Sequence, residues 1–211
     1  MLTAAVAARS PPPQAAFPSE EPLFHSARSA VRFAVTRAGV PARPLMATMA
    51  DKTCTGRDLY GMDATAQAGM ILGMVRTLGQ LQLALLIAGT AQRTVPCYCK
   101  RACCSGHMAN SAWREALLEI SEFAYNKKVV RADSGLRIAL LVKIYGGGIV
   151  TYKRIAEELK WDVDAVSRHH HAMHLWLMGK RGMTRAEGTE GVDPSAWAAA
   201  ETLLRDAGIV G

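Results

Sequence analysis

The sequence predicts an all-α fold: a small helical module carrying a cysteine-rich loop, followed by a second helical domain. Three observations predict it. Ala, Leu and Met dominate a chain of 211 residues that is 50% hydrophobic, and these residues lose little on entering a helix. Apolar residues recur at three- and four-residue spacing in several separate segments, which is the period of a helix face. β-Branched residues do not gather in alternating runs, so no strand is indicated.

Residues 1–48 are rich in Ala, Pro, Arg and Ser, and Pro11-Pro12-Pro13, Pro41 and Pro44 punctuate them. Only Ala27 to Arg37 is spaced for a short helix. This composition predicts disorder, or an over-extended reading frame whose true start is Met46 or Met49. Glu20 and Glu21 argue against a mitochondrial transit peptide.

Residues 49–133 make the first module. Met70, Ile71, Met74, Val75 and Leu78 predict a helix over Asp63 to Leu78 with Asp63 as N-cap. A short helix follows from Leu81 to Ala88, ended by Gly89. Asn110 or Ser111 then caps a helix to about Asn126, with Trp113, Ala116, Leu117, Ile120 and Phe123 or Ala124 on one face.

Residues 134–211 make the second domain. Its helices run from Ser134 to Tyr145, closed by Gly146-Gly147-Gly148, from Thr151 to Leu159, and from Val163 to Met178, closed by Gly179. A last helix runs through Arg205, with Asp193-Pro194 as N-cap and first helical residue.

Charge is unevenly spread. Of the net +7, residues 91–185 alone carry +8, and residues 186–211 carry −4. A basic stretch attracts phosphate backbones and anionic lipid alike. Nothing predicts a membrane span, because Arg76, Gln80 and Gln82 interrupt the most apolar stretch, Ala68 to Ala91.

Four of the five cysteines, Cys97, Cys99, Cys103 and Cys104, fall within eight residues, with His107 close behind and Cys54 apart. No secretory signal precedes them, so the cluster reads as reduced or metal-binding rather than as a disulfide framework. Zinc takes four thiolate or imidazole ligands tetrahedrally. The ligands are either Cys97, Cys99, Cys104 and His107 or all four cysteines. No general base stands nearby, so a structural zinc is expected.

The most informative segment is 151–171. Ala156 supplies the small residue that two steeply crossing helices need, and Ile155, Leu159, Trp161 and Val166 fill the corner between them. Lys160-Trp161-Asp162 makes the turn, with Lys160 where glycine is frequent. This is the pattern of a helix-turn-helix, whose second helix enters the major groove of double-stranded DNA. Its outward positions are Asp164, Ser167, Arg168 and His171. Arg168 suits a guanine edge, Ser167 a base or phosphate, and Asp164 a cytosine amino group. Lys153, Arg154 and His170 are placed to hold phosphates.

Two resemblances extend this. Tyr145-Gly146-Gly147-Gly148 followed by Thr151-Tyr152-Lys153-Arg154-Ile155-Ala156-Glu157-Glu158-Leu159 resembles region 4 of bacterial sigma factors, where a helix ending in Tyr-x-x-Gly precedes Thr-Tyr-x-x-Ile-Ala-x-x-Leu. The resemblance covers about forty residues and implies recognition of promoter-type DNA and contact with RNA polymerase. No counterpart of the other sigma domains is visible. Cys97-Tyr98-Cys99, Cys103-Cys104-Ser105-Gly106 and Trp113-Arg114-Glu115-Ala116, with the upstream Gly61-Met62-Asp63 and Gln67-Ala68-Gly69-Met70, resemble the late-gene antitermination (Q-type) proteins of lambdoid phages over residues 60–178. The cysteine spacing departs from the paired C-x2-C form of that family. The resemblance implies a phage or prophage regulator of transcription working in the cytoplasm of a bacterial host.

An enzyme is not expected. Gly146-Gly147-Gly148 lacks the Lys-Ser/Thr of a phosphate-binding loop. His170 and His174 stand i, i+4, a spacing that surface residues commonly show, and no second metal is assigned. The rival reading is a zinc-stabilised helical module that binds other proteins and leaves DNA alone.

Overall fold

The computed structural model describes residues 22–38, 61–97, 99, 105–147, 150–180 and 190–211. Among these, the fold is mostly helical. Eight helices run in order: α1 (Ala27–Ala38), α2 (Gly61–Arg76), α3 (Gln80–Thr90), α4 (Ser111–Asn126), α5 (Ser134–Tyr145), α6 (Tyr152–Leu159), α7 (Val163–Met178) and α8 (Val192–Asp206). Between α3 and α4 lies a two-stranded antiparallel hairpin, β1 (Thr94–Pro96) and β2 (His107–Ala109). No described helix is long and apolar enough to cross a membrane.

Two cores share α3. Leu85 faces one, with Leu117, Ile120, Leu136, Leu140, Ile155, Met173 and Leu177. Leu86 faces the other, with Val31, Ile71, Val75, Leu204 and Ile209. A helix buried on both sides needs apolar residues all round, which accounts for the run Leu83-Ala84-Leu85-Leu86-Ile87-Ala88. Gly89 therefore lies inside α3 rather than ending it, and a Cβ there would meet the Trp197 ring at 3.4 Å. α8 bridges the same two cores, giving Ala196 to the first and Ala200 and Leu204 to the second. At its start, Gly191 takes the cap position and Asp193 lies inside the helix. Asp63 likewise sits in the first turn of α2, not at its cap.

The short helix spaced from Ala27 to Arg37 is α1, and the expectation of disorder is corrected over residues 22–38. Phe24, Ala27, Ala30, Val31, Ala34 and Val35 are all buried. Glu201 of α8 accepts the Ala27 backbone N–H at 2.8 Å, satisfying a donor that the first turn of α1 leaves unpaired. Phe24 pairs with Val210 as a parallel bridge, donating its N–H to Ile209 O at 3.1 Å. Residues 1–21 and 39–60, which hold Met46, Met49, Cys54 and the rest of the expected extension, lie outside the described residues.

The expected boundary after residue 133 falls inside a continuous core. Leu117 and Ile120 before it share a cluster with Leu136 and Leu140 after it. The buried Arg137 ties the two sides. Its Nε donates to Ser121 Oγ at 3.0 Å, Nη1 to the Ala132 carbonyl, and Nη2 pairs with Glu122 at 3.1 Å. The guanidinium also lies 4.7 Å from the centre of the Tyr125 ring.

Candidate nucleic-acid interface

The corner between α6 and α7 is built by local rules. Thr151 caps α6, its Oγ1 accepting the Arg154 N–H at 3.3 Å. Asp162 caps α7, its Oδ1 accepting the Ala165 N–H at 3.0 Å. Lys160 ends α6 in the left-handed region at φ 57°, where glycine is the usual residue. The chain reverses there, and Trp161 N–H returns to Ala156 O at 2.9 Å. Ile155, Ala156 and Val166 are buried in the angle, and Met173 and Leu177 anchor the rest of α7.

Position in the fold settles which side chains are available to a ligand. Asp164, Ser167, Arg168 and His171 are all exposed, and their spacing of three and four places them on one face of α7. Leu175 continues that face, and Val163, 42% exposed, stands at the first position of the helix. Neither was among the expected contacts, although an exposed valine at that position suits a thymine methyl.

The cations of the first helix are already shared. Lys153 Nζ lies 3.9 Å from Glu157, and Arg154 Nε lies 2.8 Å from Glu158 Oε1, both as i, i+4 pairs on the surface. Exposed pairs of this kind are weak, so they lower the local positive potential without locking either side chain.

His170, expected as a phosphate contact, is engaged with a neighbouring helix. Its ring is half-buried, and its Nδ1 lies 3.0 Å from the Tyr152 hydroxyl, which joins α7 to α6. Lys143 Nζ sits 4.6 Å from the centre of the Tyr152 ring and donates to Val150 O at 2.6 Å. Burial, then the neighbouring His174, Lys143 and His171, lowers the His170 pKa below the ordinary histidine value. The Tyr152 contact and the half-buried ring set His170 apart from the exposed positions of α7.

Sequence reasoning also missed a tether. Trp161 Nε1 donates to Asp133 Oδ2 at 3.0 Å, while Oδ1 of the same carboxylate accepts the Leu136 N–H at 2.9 Å and caps α5. One aspartate thus fixes the turn of the corner against the loop before α5. The His169 ring packs edge-on against Trp161, centroids 5.7 Å apart.

Cys97 lies at the open end of the hairpin. Thr94, Val95 and Pro96 face Ala109, Met108 and His107 in register. One step further, Cys97 N–H donates to Gly106 O at 2.8 Å, with Gly106 at φ 79°, a backbone that glycine adopts freely. Cys97 is half-buried, and Cys99 and His107 are exposed. Cys103 and Cys104 lie outside the described residues, and among the described ones no three His, Cys, Asp or Glu side chains converge as for a metal. Asn110 closes the hairpin base, donating Nδ2 to Gln92 O at 2.7 Å while its Oδ1 caps α4.

Compared with protein-family models, with curated proteins and with solved structures, the chain matches none.

Proposed function

We propose that this protein is a regulator of transcription that binds double-stranded DNA through α6 and α7 and acts with bacterial RNA polymerase as a phage or prophage antitermination protein. The observation that carries this reading is the division of α7. Val166, Met173 and Leu177 lock one side into the core, and Asp164, Ser167, Arg168 and His171 line the other in the open. A helix held rigidly on one face, with base-reading chemistry on the other, is what major-groove recognition requires. Placement in the cytoplasm of a bacterial host belongs to this reading.

A structural zinc belongs to it as well. The donor chemistry at the hairpin tip, thiols at Cys97 and Cys99 and the imidazole of His107, suits zinc. The β1–β2 register brings the two ends of the ligand segment side by side. Cys104 or the Cys103–Cys104 pair would complete the set. Zinc here would supply folding energy to a hairpin of two three-residue strands, too short to stand alone.

One observation favours a second reading, a protein-binding module with a zinc hairpin. With Lys153 shared with Glu157 and Arg154 with Glu158, α6 carries no net charge. A selection of randomised duplex DNA against the full chain decides between the two, followed by titration of the selected duplex at several salt concentrations. Binding that weakens steeply with salt supports DNA recognition. Absence of binding at low salt leaves the protein-binding module. An added-polymerase transcription assay on a terminator template then tests antitermination, and elemental analysis tests for about one zinc per chain.

A further inference from the structure

Two backbone conformations frame the corner, and both belong to lysines. Among the described residues, the non-glycine positions in the left-handed region are Lys128, at φ 58°, and Lys160, at φ 57°. Lys128 follows the end of α4 and Lys160 the end of α6. Glycine takes this conformation freely at helix ends, whereas a Cβ is crowded there. Neither ammonium group has an ion-pair or hydrogen-bond partner among the described residues. A lysine at a strained position, with no internal hydrogen bond or ion pair for its ammonium, presents that charge to an external ligand.

The turn after α6 is tied to the loop that follows α4 by the Trp161–Asp133 hydrogen bond. A Cβ at Gly135 would touch Leu159 at 3.8 Å, so the start of α5 packs on the end of α6. The loop is basic: Lys127, Lys128 and Arg131 are exposed, as is Lys160 across the tether. Carboxylates near them are engaged elsewhere, Glu122 by Arg137, Asp133 by Trp161 and Leu136, and Asp162 by the cap of α7. Three residues beyond Lys160 begins the helix whose outer face bears Arg168. The α6 cations differ in this respect, since Glu157 and Glu158 share them.

We infer that the DNA phosphates flanking the base-reading helix are held by the α4–α5 loop and the turn, through Lys127, Lys128, Arg131 and Lys160, rather than by Lys153 and Arg154 on α6. This rests on the DNA-binding reading above. The left-handed backbone at Lys128 and Lys160 sets the direction in which each side chain leaves the helix end, and the Asp133–Trp161 hydrogen bond ties the turn to the loop. The footprint on DNA therefore extends past the helix-turn-helix itself, and the added contacts carry charge but no sequence preference.

The test replaces each strained lysine by the residue its backbone prefers. Full-length Lys128→Gly, Lys160→Gly and the double variant are compared with wild type by urea unfolding and by titration of the selected duplex across salt concentrations. The glycine variants are expected to unfold at equal or higher urea. They are expected to bind cognate and scrambled duplexes more weakly, with the salt dependence shallower by roughly one unit of slope per lysine. Arg131→Ala should add a further unit, and Lys153→Ala with Arg154→Ala should leave the slope near wild type. Glycine variants that keep the wild-type slope, or α6 alanines that lose it instead, overturn the inference while the DNA-binding reading stands. Loss of binding to anionic phospholipid vesicles with DNA binding intact also overturns it. A wild-type protein that binds no duplex removes the DNA-binding reading, and the inference with it.

Discussion

The carboxylate of Asp133 holds two things at once: the first turn of α5 through Leu136 N–H at 2.9 Å and the indole of Trp161 at 3.0 Å. The Leu136 hydrogen bond first, joined by the Trp161 one, holds its pKa below the ordinary aspartate value, although burial opposes them. A group with a depressed folded pKa stabilises the fold above its unfolded value, about 3.9, and loses that contribution as pH falls through the folded value. Asp133→Ala is expected to cost about 1–2 kcal/mol at neutral pH, the worth of a cap plus one hydrogen bond. Thermal unfolding of both proteins from pH 7 down to about pH 3 should show the gap narrowing only below pH 4 or so. A gap independent of pH would mean that the carboxylate charge plays no part.

Arg137 is buried, and its guanidinium reaches Ser121, Ala132 and Glu122 together. Arg137→Met leaves the Ser121 hydroxyl and the Ala132 carbonyl without that donor. Glu122, largely exposed, is not stranded. The expected loss is about 2–4 kcal/mol. Arg137→Lys should recover little of it, because one ammonium cannot reproduce the fork. Urea unfolding measures both, and a lysine variant as stable as wild type would contradict the geometric account.

Removing α1 should be far more damaging than a disordered or untranslated extension would allow. Phe24, Val31, Phe33 and Val35 are buried against α2 and α8. At roughly 1.5–3 kcal/mol per large apolar side chain, they contribute on the order of the whole stability of a domain. A chain started at Met49 should therefore lose its cooperative unfolding transition, while one started at Glu21 should keep it. Equal transitions for the two would show that α1 is dispensable.

Legibility followed locality. The helices from 111 to 178 are readable because Asn110, Thr151 and Gly179 mark their ends and apolar residues repeat at helical spacing. Burial of Ile155, Ala156 and Val166 follows from the same pattern. The helical spacing of α1 is readable at Ala27, Ala30, Val31, Ala34 and Val35, but its burial is not, because its partners in α8 lie over 160 residues away. The hairpin escapes notice because its strands are three residues long, one contains Pro96, and neither alternates between buried and exposed. Pairing of Lys153 with Glu157 and Arg154 with Glu158 went unread, although the i, i+4 spacing carries it. Engagement of His170 could not be read, since it depends on Tyr152 and Lys143 from two other helices.

That engagement has a pH signature. His170 faces Tyr152 from α6, Lys143 from α5, and His171 and His174 on its own helix, and its folded pKa is lowered. With a depressed folded pKa the unfolded chain takes up the proton first. Stability is thus complete above the unfolded value, about 6.5, and falls as pH drops from there through the folded value. His170→Gln should flatten the thermal stability profile between about pH 7 and pH 5. Tyr152→Phe should cost about 1 kcal/mol at neutral pH by removing the hydroxyl contact. A profile of equal slope in the glutamine variant would assign the pH dependence to other groups.

Arg168 stands on the outer face of α7 between Asp164 and His171, exposed and without an ion-pair partner among the described residues. On the DNA-binding reading its forked donors suit the O6 and N7 acceptors of a guanine, and Asp164 suits the amino group of a cytosine. Arg168→Ala should then cost roughly 1–3 kcal/mol on the selected duplex and relax preference at a single base pair. Affinity for a scrambled duplex should fall much less. The salt slope should stay near wild type, because a base contact displaces few condensed counterions. Asp164→Ala should relax a different position, on the side of the site met by the start of α7, since that residue lies one turn nearer the N-terminal end that enters the groove first. Repeating the duplex selection with each variant reads out both positions independently of absolute affinity. Were Arg168→Ala to weaken cognate and scrambled duplexes alike and shallow the salt slope, that arginine would be a phosphate contact, and base reading would have to come from Ser167, His171 or Asp164.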